Sequence, residues 1–121
     1  MHIELLLILL LSIKHLIIDF PLQTKYQYSN KGKYGHLGGL LHSFNHGIAT
    51  FLIFSFFSKY AIFLGIMDAI IHYHIDWLKV NININLNWKP DTHEEFWWLL
   101  GIDQFLHTLT YIFLIFLVVS L

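Results

Sequence analysis

Four long apolar stretches follow one another along the chain, separated by shorter polar segments. They run from about Ile3 to Phe20, from Gly38 to Ser58, from Tyr60 to Val80 and from Thr92 to Leu121. About 20 apolar residues are enough to cross the hydrocarbon core of a bilayer as a helix. The pattern therefore predicts an all-α fold, an integral membrane bundle of four transmembrane helices at about 3–20, 38–58, 60–80 and 92–121.

The polar segments predict the connections. Residues 21–37 begin with Pro21, which cannot continue a helix, and their polar, glycine-containing sequence predicts a loop. Residues 80–91 alternate asparagine with apolar residues, which fits a short extended segment at the interface or a loop of biased composition. Thr92 and Glu95 resemble a capping box at the start of the fourth helix. We expect residues 1–121 to form a single transmembrane domain.

The composition supports a membrane location. Only 12% of the residues are charged and 56% are hydrophobic, whereas a soluble domain has about 25% charged residues. So few charges cannot cover a surface that faces water, but lipid-facing residues need none. The absence of cysteine excludes disulfides and thiolate metal sites. The sequence has no stripe of basic residues of the kind that binds nucleic acid. The expected partner is therefore membrane lipid.

The lysines predict the orientation. Five of them lie on the side of the first and third loops, namely Lys25, Lys31, Lys33, Lys79 and Lys89, and only Lys59 lies on the other side. The positive-inside rule then places loops 21–37 and 80–91 in the cytoplasm and both termini outside, in a multi-pass protein of the cell (inner) membrane. Lys14 lies within the first helix, and we expect it to snorkel toward the cytoplasmic face.

Histidine and aspartate recur four residues apart on the predicted helices. Nine His and five Asp would give roughly 0.4 pairs by chance in each order. The chain has two in each order, His15/Asp19 and His72/Asp76, then Asp68/His72 and Asp103/His107, and His42/His46 shares the spacing. This spacing puts both side chains of a pair on one helix face. Because successive helices alternate in direction, we expect the polar faces to meet in one pocket in the cytoplasmic half.

This pocket has the composition of a metal site. A buried Asp costs about 2.5 kcal/mol or more at mid-bilayer, so such groups must face each other, water or a cation. Carboxylates and neutral imidazoles bind Zn²⁺, Mn²⁺ and Fe²⁺. The eight candidate ligands are His15, Asp19, His42, His46, His72, Asp76, Asp103 and His107. They exceed the needs of one tetrahedral ion, which favours two metals, or one metal with the remaining groups hydrogen-bonded around it. The plainer alternative is hydrogen bonding between helices alone.

These short motifs resemble those of a known family. His15-x-x-x-Asp19-x-x-x-Gln23-Thr24, His42-x-x-x-His46, His72-x-x-x-Asp76-x-x-Lys79 and Asp103-Gln104-x-x-His107 follow one another in the same order as in the small bacterial and phage membrane proteins called domain of unknown function 3307. The resemblance implies a four-helix membrane fold and implies no activity. It adds Gln23 and Gln104 as residues that line the site, beside Lys79. Asp68 and His74 fall outside the family pattern.

Three classes of function remain open. The first is a metal-dependent intramembrane hydrolase or related lipid-modifying enzyme, with Asp19, Asp76 and Asp103 as bases or ligands and a phospholipid or polyprenyl phosphate as a suitable substrate. In this reading Lys79 contacts a phosphate; otherwise it is an interfacial anchor. The second is a carrier for protons or divalent cations. The third is a non-catalytic membrane protein of the phage type. The sequence leaves the oligomeric state open as well.

Overall fold

The structure is a computed structural model that describes residues 2–121, and within this range it contains five α-helices and no strand. The helices are α1 (Ile3–Asp19), α2 (Lys25–Asn30), α3 (Leu37–Phe54), α4 (Ala61–Asn85) and α5 (Glu94–Ser120). The all-α prediction is confirmed. Helices α3, α4 and α5 are long and apolar enough to cross a membrane. Helix α1 is shorter, with 17 residues.

Helix α2 lies in a segment that the sequence predicted to be a loop. Its first turn is closed by a capping box: the Thr24 side chain accepts a hydrogen bond from the Gln27 backbone N–H, and the Gln27 side chain accepts one from the Thr24 backbone N–H. These two bonds satisfy donors that a helix start otherwise leaves unpaired. The loop prediction for residues 21–37 is therefore wrong for Lys25–Asn30.

The ends of the longer helices also differ from the prediction. Helix α4 continues to Asn85, so the alternation of asparagine from residue 80 marks neither a strand nor a loop over that part. Asn81 donates hydrogen bonds to the carbonyls of Trp77 and Gly32, which fixes the end of α4 to the segment after α2. Helix α5 starts at Glu94 without a side-chain cap, so the predicted capping box at Thr92 does not form. Helix α3 ends at Phe54 rather than near residue 58.

The long helices form a ring in the order α1, α3, α4, α5 and back to α1, and α2 packs against α3. Helices α3 and α4 approach each other closely, and a Cβ on Gly47 would lie 2.7 Å from the Gly65 carbonyl oxygen. Small residues at such crossings let two backbones pack tightly. Outward faces are apolar, with Leu16, Phe105 and Phe116 exposed, which is compatible with contact to lipid.

The interior of the ring has two different ends. One end is an apolar core formed by Leu7, Leu11, Phe54, Ala61, Leu64, Tyr111, Leu114 and Ile115. The other end is lined by the buried His and Asp side chains of α1, α3, α4 and α5. Residues in the C-terminal halves of α1 and α4 meet residues in the N-terminal halves of α3 and α5 there, because neighbouring helices of the ring run antiparallel.

Candidate metal centre

Four side chains from three helices form a first group of potential metal ligands. The group consists of Asp19 from α1, His42 and His46 from α3, and His72 from α4. Asp19 Oδ1 lies 2.8 Å from His46 Nε2, 3.1 Å from His42 Nε2 and 3.8 Å from His72 Nε2. The three imidazole side chains are 0% exposed. One carboxylate oxygen and three ring nitrogens thus point at one small volume inside the bundle.

These distances match the donor spacing of a metal site. Zinc–ligand bonds of about 2.0–2.1 Å place the donor atoms of a tetrahedral site about 3.3–3.4 Å apart. The Nε2 atoms of His42 and His72 are 3.3 Å apart, and the distances from Asp19 Oδ1 to the three imidazoles, 2.8, 3.1 and 3.8 Å, scatter on both sides of that spacing. Three His and one carboxylate suit Zn²⁺ or Fe²⁺. The residues of the first group therefore fit a divalent ion in type and in spacing.

A second group of potential ligands lies beside the first and contains more carboxylates. Asp76 from α4 meets Asp103 and His107 from α5. His107 Nε2 is 3.3 Å from Asp76 Oδ1 and 3.5 Å from Asp103 Oδ1. All three side chains are at most 3% exposed. Two buried carboxylates with one imidazole form a harder oxygen-rich set, which suits Mn²⁺ or Fe²⁺ as well as Zn²⁺.

Asp76 connects the two groups through its two oxygens. Its Oδ2 lies 3.3 Å from both His42 Nε2 and His72 Nε2 of the first group. Its Oδ1 faces His107 of the second group. A carboxylate that turns one oxygen to each of two ligand sets has the geometry of a bridging ligand, and paired metal ions are typically about 3.5–4 Å apart.

His15 lies between the two groups and completes the predicted set of eight. It forms a third cluster with His72 and His107. Its Nε2 is 2.9 Å from Asp19 Oδ2 and 3.1 Å from Gln104 Oε1, and its Nδ1 is 2.6 Å from the Tyr111 hydroxyl. Contacts on both ring nitrogens fix the orientation of the imidazole, as partners outside the metal shell do in metalloproteins.

The three residues expected to line the site are all in contact with it. Gln104 also donates to Asp103 Oδ2 at 3.0 Å. Lys79 Nζ lies 3.4 Å from the same oxygen. Gln23 donates to the Asp19 backbone carbonyl and accepts a hydrogen bond from Lys31 Nζ at 3.1 Å. The structure thus brings every sequence-predicted site residue to one end of the bundle.

Lys14, which the sequence placed at the cytoplasmic surface, adjoins the site at its deeper side. Lys14 does not snorkel to the surface: its side chain is 4% exposed and Nζ lies 2.6 Å from Asp68 Oδ2. The expectation for Lys14 is therefore wrong, because a buried carboxylate on α4 offers the ammonium a closer partner than the interface. Thr50 donates to the same Asp68 oxygen at 2.5 Å. Lys14 also donates to His46 Nδ1 at 3.1 Å, which joins this network to the first group.

Lys31 is the other residue that sequence reasoning missed. It follows α2 directly, and Nζ lies 3.3 Å from Asp76 Oδ2. No pattern in the sequence marks it, because its contact depends on how α2 folds back over the end of α4. Matching a charged residue in one span with an opposite charge at similar depth in another would have found Lys14 and Asp68.

The remaining histidines of the described chain lie outside the cluster. His36 caps α3 by accepting a hydrogen bond from the Gly38 backbone N–H. His93 contacts Thr92 at the surface. His74 is exposed and contacts Tyr34 and the Ile70 carbonyl, consistent with an interfacial position. His2 is exposed at the start of α1.

A small cavity leads to the cluster between α1 and α5. It has a volume of about 120 Å³ and is lined by Ser12, His15, Gln104, His107, Thr108 and Tyr111. Because His15 and His107 belong to the metal-ligand clusters, this cavity opens the site toward the side of the bundle. An apolar groove of about 530 Å³ on the outer face of α3 and α4 does not reach the cluster.

Comparisons with known proteins place the chain in a family without naming an activity. No curated protein and no solved structure matches it significantly. The sequence profile of one family, described as a protein of unknown function (DUF3307), matches residues 5–121. Because that match covers essentially the whole chain, the protein belongs to the DUF3307 family, as the order of its His and Asp motifs indicated.

Proposed function

We propose that this protein is a metal-dependent hydrolase embedded in the membrane, acting on a lipid at the cytoplasmic face. The observation that carries the proposal is the position of Asp76, whose two oxygens face two separate sets of potential ligands. Lysines pair with Asp76 and Asp103, whereas Asp19 faces only imidazoles. Divalent ions would balance the charge of Asp19 and supply a nucleophile made from water at neutral pH.

The proposed membrane arrangement has four spans in one transmembrane domain, residues 1–121. Helix α1, with 17 residues, is about 25 Å long and reaches the lower limit for a span. Its neighbours in the ring are α3 and α5, which are both long enough to span. The Lys-rich loops face the cytoplasm and both termini lie outside. Because the chain has no cysteine, labelling of single-cysteine variants Lys33→Cys and Lys59→Cys tests this: modification of both from the same side would contradict it.

The proposed centre holds two divalent ions, of Zn²⁺, Mn²⁺ or Fe²⁺. Asp19, His42, His46 and His72 hold the first, and Asp103 and His107 hold the second, with Asp76 between them. His15 orients Asp19 and faces the lateral cavity. Asp19, Asp76 and Asp103 are candidates for either role, metal ligand or general base, and a carboxylate of this set that does not bind a metal ion would act as the general base.

A carrier for protons or divalent cations is the second candidate, and one observation favours it. The chain of contacts from Asp19 through His46 and Lys14 to Asp68 carries polar groups deeper into the bundle. Beyond Thr50, however, the interior is closed by the apolar core around Phe54, Leu64 and Leu114. A conduit needs polar groups along its whole length. Because the polar groups here occupy one end of the bundle only, the structure favours an enclosed binding site over a conduit.

Lipid hydrolysis in proteoliposomes tests the proposal. Wild-type protein loaded with Zn²⁺, Mn²⁺ or Fe²⁺ is incubated in vesicles of total bacterial lipid, and the lipids are compared by mass spectrometry. We expect metal-dependent cleavage that chelator abolishes and that Asp76→Asn reduces by at least about 100-fold. His74→Ala, which changes an exposed histidine of the same helix, serves as the matched control. Unchanged lipids under all three metals, together with metal or proton flux across the vesicles, would favour the carrier.

A further inference from the structure

Two lysines lie at the polar end of the bundle, outside the lateral cavity, each beside a carboxylate of the second group. Lys31 Nζ lies 3.3 Å from Asp76 Oδ2, and Lys79 Nζ lies 3.4 Å from Asp103 Oδ2. Their side chains are 11% and 17% exposed, whereas the two carboxylates are at most 3% exposed. The two lysine side chains are therefore nearer to the surface than the carboxylates that they contact.

The fold positions Lys31 with several independent contacts. The capping box of Thr24 and Gln27 starts α2, and the Lys31 backbone N–H closes its last turn on the Gln27 carbonyl. A Cβ on Gly39 would lie 3.0 Å from Lys31 Cα, so α2 rests directly on the start of α3. Asn81 holds the carbonyl of Gly32 at 2.9 Å from the other side. A surface lysine that only adjusts solubility needs no such support.

The charges around these lysines change when metal is bound. Divalent ions on Asp76 and Asp103 would take over the carboxylate oxygens that Lys31 and Lys79 now contact. The two ammonium groups would then be partly desolvated cations without an anionic partner, next to further positive charge. Such a site strongly favours an anion with several acceptor oxygens.

We propose that Lys31 and Lys79 bind the phosphate group of the substrate beside the second ligand group of the candidate metal centre. This inference rests on the proposed function and adds the substrate class to it: a phosphate-bearing compound, whose phosphate belongs either to a lipid headgroup or to a soluble phosphate ester. Lysine is a common phosphate ligand in proteins because its ammonium is a mobile point charge with three donors. Gln23 contacts Lys31, and Gln104 contacts the carboxylate beside Lys79, so each ammonium has an amide close by.

The competing explanation is that the lysines only neutralise the carboxylates. The two explanations predict opposite effects on metal binding. If the lysines are needed to hold Asp76 and Asp103 in place, their removal lowers metal content. If they are phosphate ligands, their removal leaves metal content equal or raises metal affinity, because two positive charges no longer compete for the same oxygens.

The experiment measures phosphate binding to metal-loaded protein in detergent by isothermal titration with inorganic phosphate, and metal content by elemental analysis of the same samples. Lys31→Gln and Lys79→Gln are each expected to weaken phosphate binding about tenfold or more with metal retained. Lys31→Arg should restore binding. Lys33→Gln, at an exposed lysine of the same loop whose side chain donates a hydrogen bond to Asn30 Oδ1, should bind like wild type.

Two arms identify the source of the phosphate. Nanodiscs that contain phosphatidic acid compete with inorganic phosphate if the natural ligand is a lipid headgroup, and a soluble alkyl phosphate competes equally in plain detergent if it is not. Equal phosphate affinity in wild type and both glutamine variants, or loss of metal in those variants, overturns the inference and leaves the metal centre standing. Wild-type protein that binds no metal overturns the proposed function itself.

Discussion

Lys14 and Asp68 form an ion pair at the deepest point of the polar cluster. Both side chains are at most 4% exposed, and Thr50 and His46 supply their other contacts. A buried pair of this kind offsets the cost of taking two charges out of water only while both partners are present. Its role in the cluster is to hold the His46 ring, whose Nδ1 accepts from Lys14 while Nε2 faces Asp19.

Removing one partner of this pair should be costly and removing both should not. Lys14→Met leaves the Asp68 carboxylate buried with Thr50 alone, so we expect the free energy of unfolding to fall by about 3–5 kcal/mol. The double variant Lys14→Met/Asp68→Leu should recover most of that loss. Titration with SDS, followed by far-UV circular dichroism, measures both values.

Lys59→Met is the matched control for the single variant. Lys59 is exposed in the turn between α3 and α4 and lies over the Tyr60 ring. Its replacement should change stability by less than about 1 kcal/mol. If Lys14→Met were as stable as this control, the ion pair between Lys14 and Asp68 would not contribute to the stability of the fold.

At the scale of helices, the pairing of α3 with α4 determines where His42, His46 and His72 meet. The two helices cross at Gly47 and Gly65, each of which presents its backbone to the other. Both glycines lie within one or two turns of these ligands, so any separation of the helices is passed on to the imidazoles. The sequence pattern indicated helix faces from the four-residue spacing of His and Asp, but the closeness of this crossing follows only from packing.

An added methyl group at the crossing should therefore disturb both stability and metal binding. In Gly47→Ala the new Cβ would lie 2.7 Å from the Gly65 carbonyl oxygen and 2.8 Å from Ala69 Cβ, so the backbones must move apart. We expect a lower Tm in detergent and weaker metal binding. Gly101→Ala, in α5 with nothing within 4 Å of the new Cβ, should instead be neutral or up to about 1 kcal/mol more stable. Equal Tm values for the two variants would refute the importance of the crossing.

For the whole molecule, the hydrophobic pattern and the charge positions predicted the helical class and the residues of the cluster. Alternating helix directions were enough to place His15, Asp19, Asp76 and Asp103 together, because each lies in the corresponding half of its helix. The pattern failed where tertiary contacts decide the structure. Helix α2 depends on docking against Gly38 and Gly39, and the last turns of α4 depend on the hydrogen bond from Asn81 to Gly32. Neither contact produces a periodic pattern of hydrophobic residues in the sequence.

The polar end and the apolar end of the bundle together argue for an enclosed site rather than a path across the membrane. We expect such a site to bind ions tightly and in fixed number, because the candidate ligands are buried and oriented before any ion arrives. The number of bound ions should also reflect the division of the ligands into two sets that share Asp76.

Elemental analysis of detergent-purified protein, loaded with Zn²⁺, Mn²⁺ or Fe²⁺ and desalted, tests this directly. We predict about two ions per chain for the wild type and for His74→Ala. His46→Ala, which removes a ligand of the first set alone, should retain at most one. A wild-type protein that holds no ion with any of the three metals, or a His46→Ala variant with the same content as wild type, would contradict a metal centre at this position.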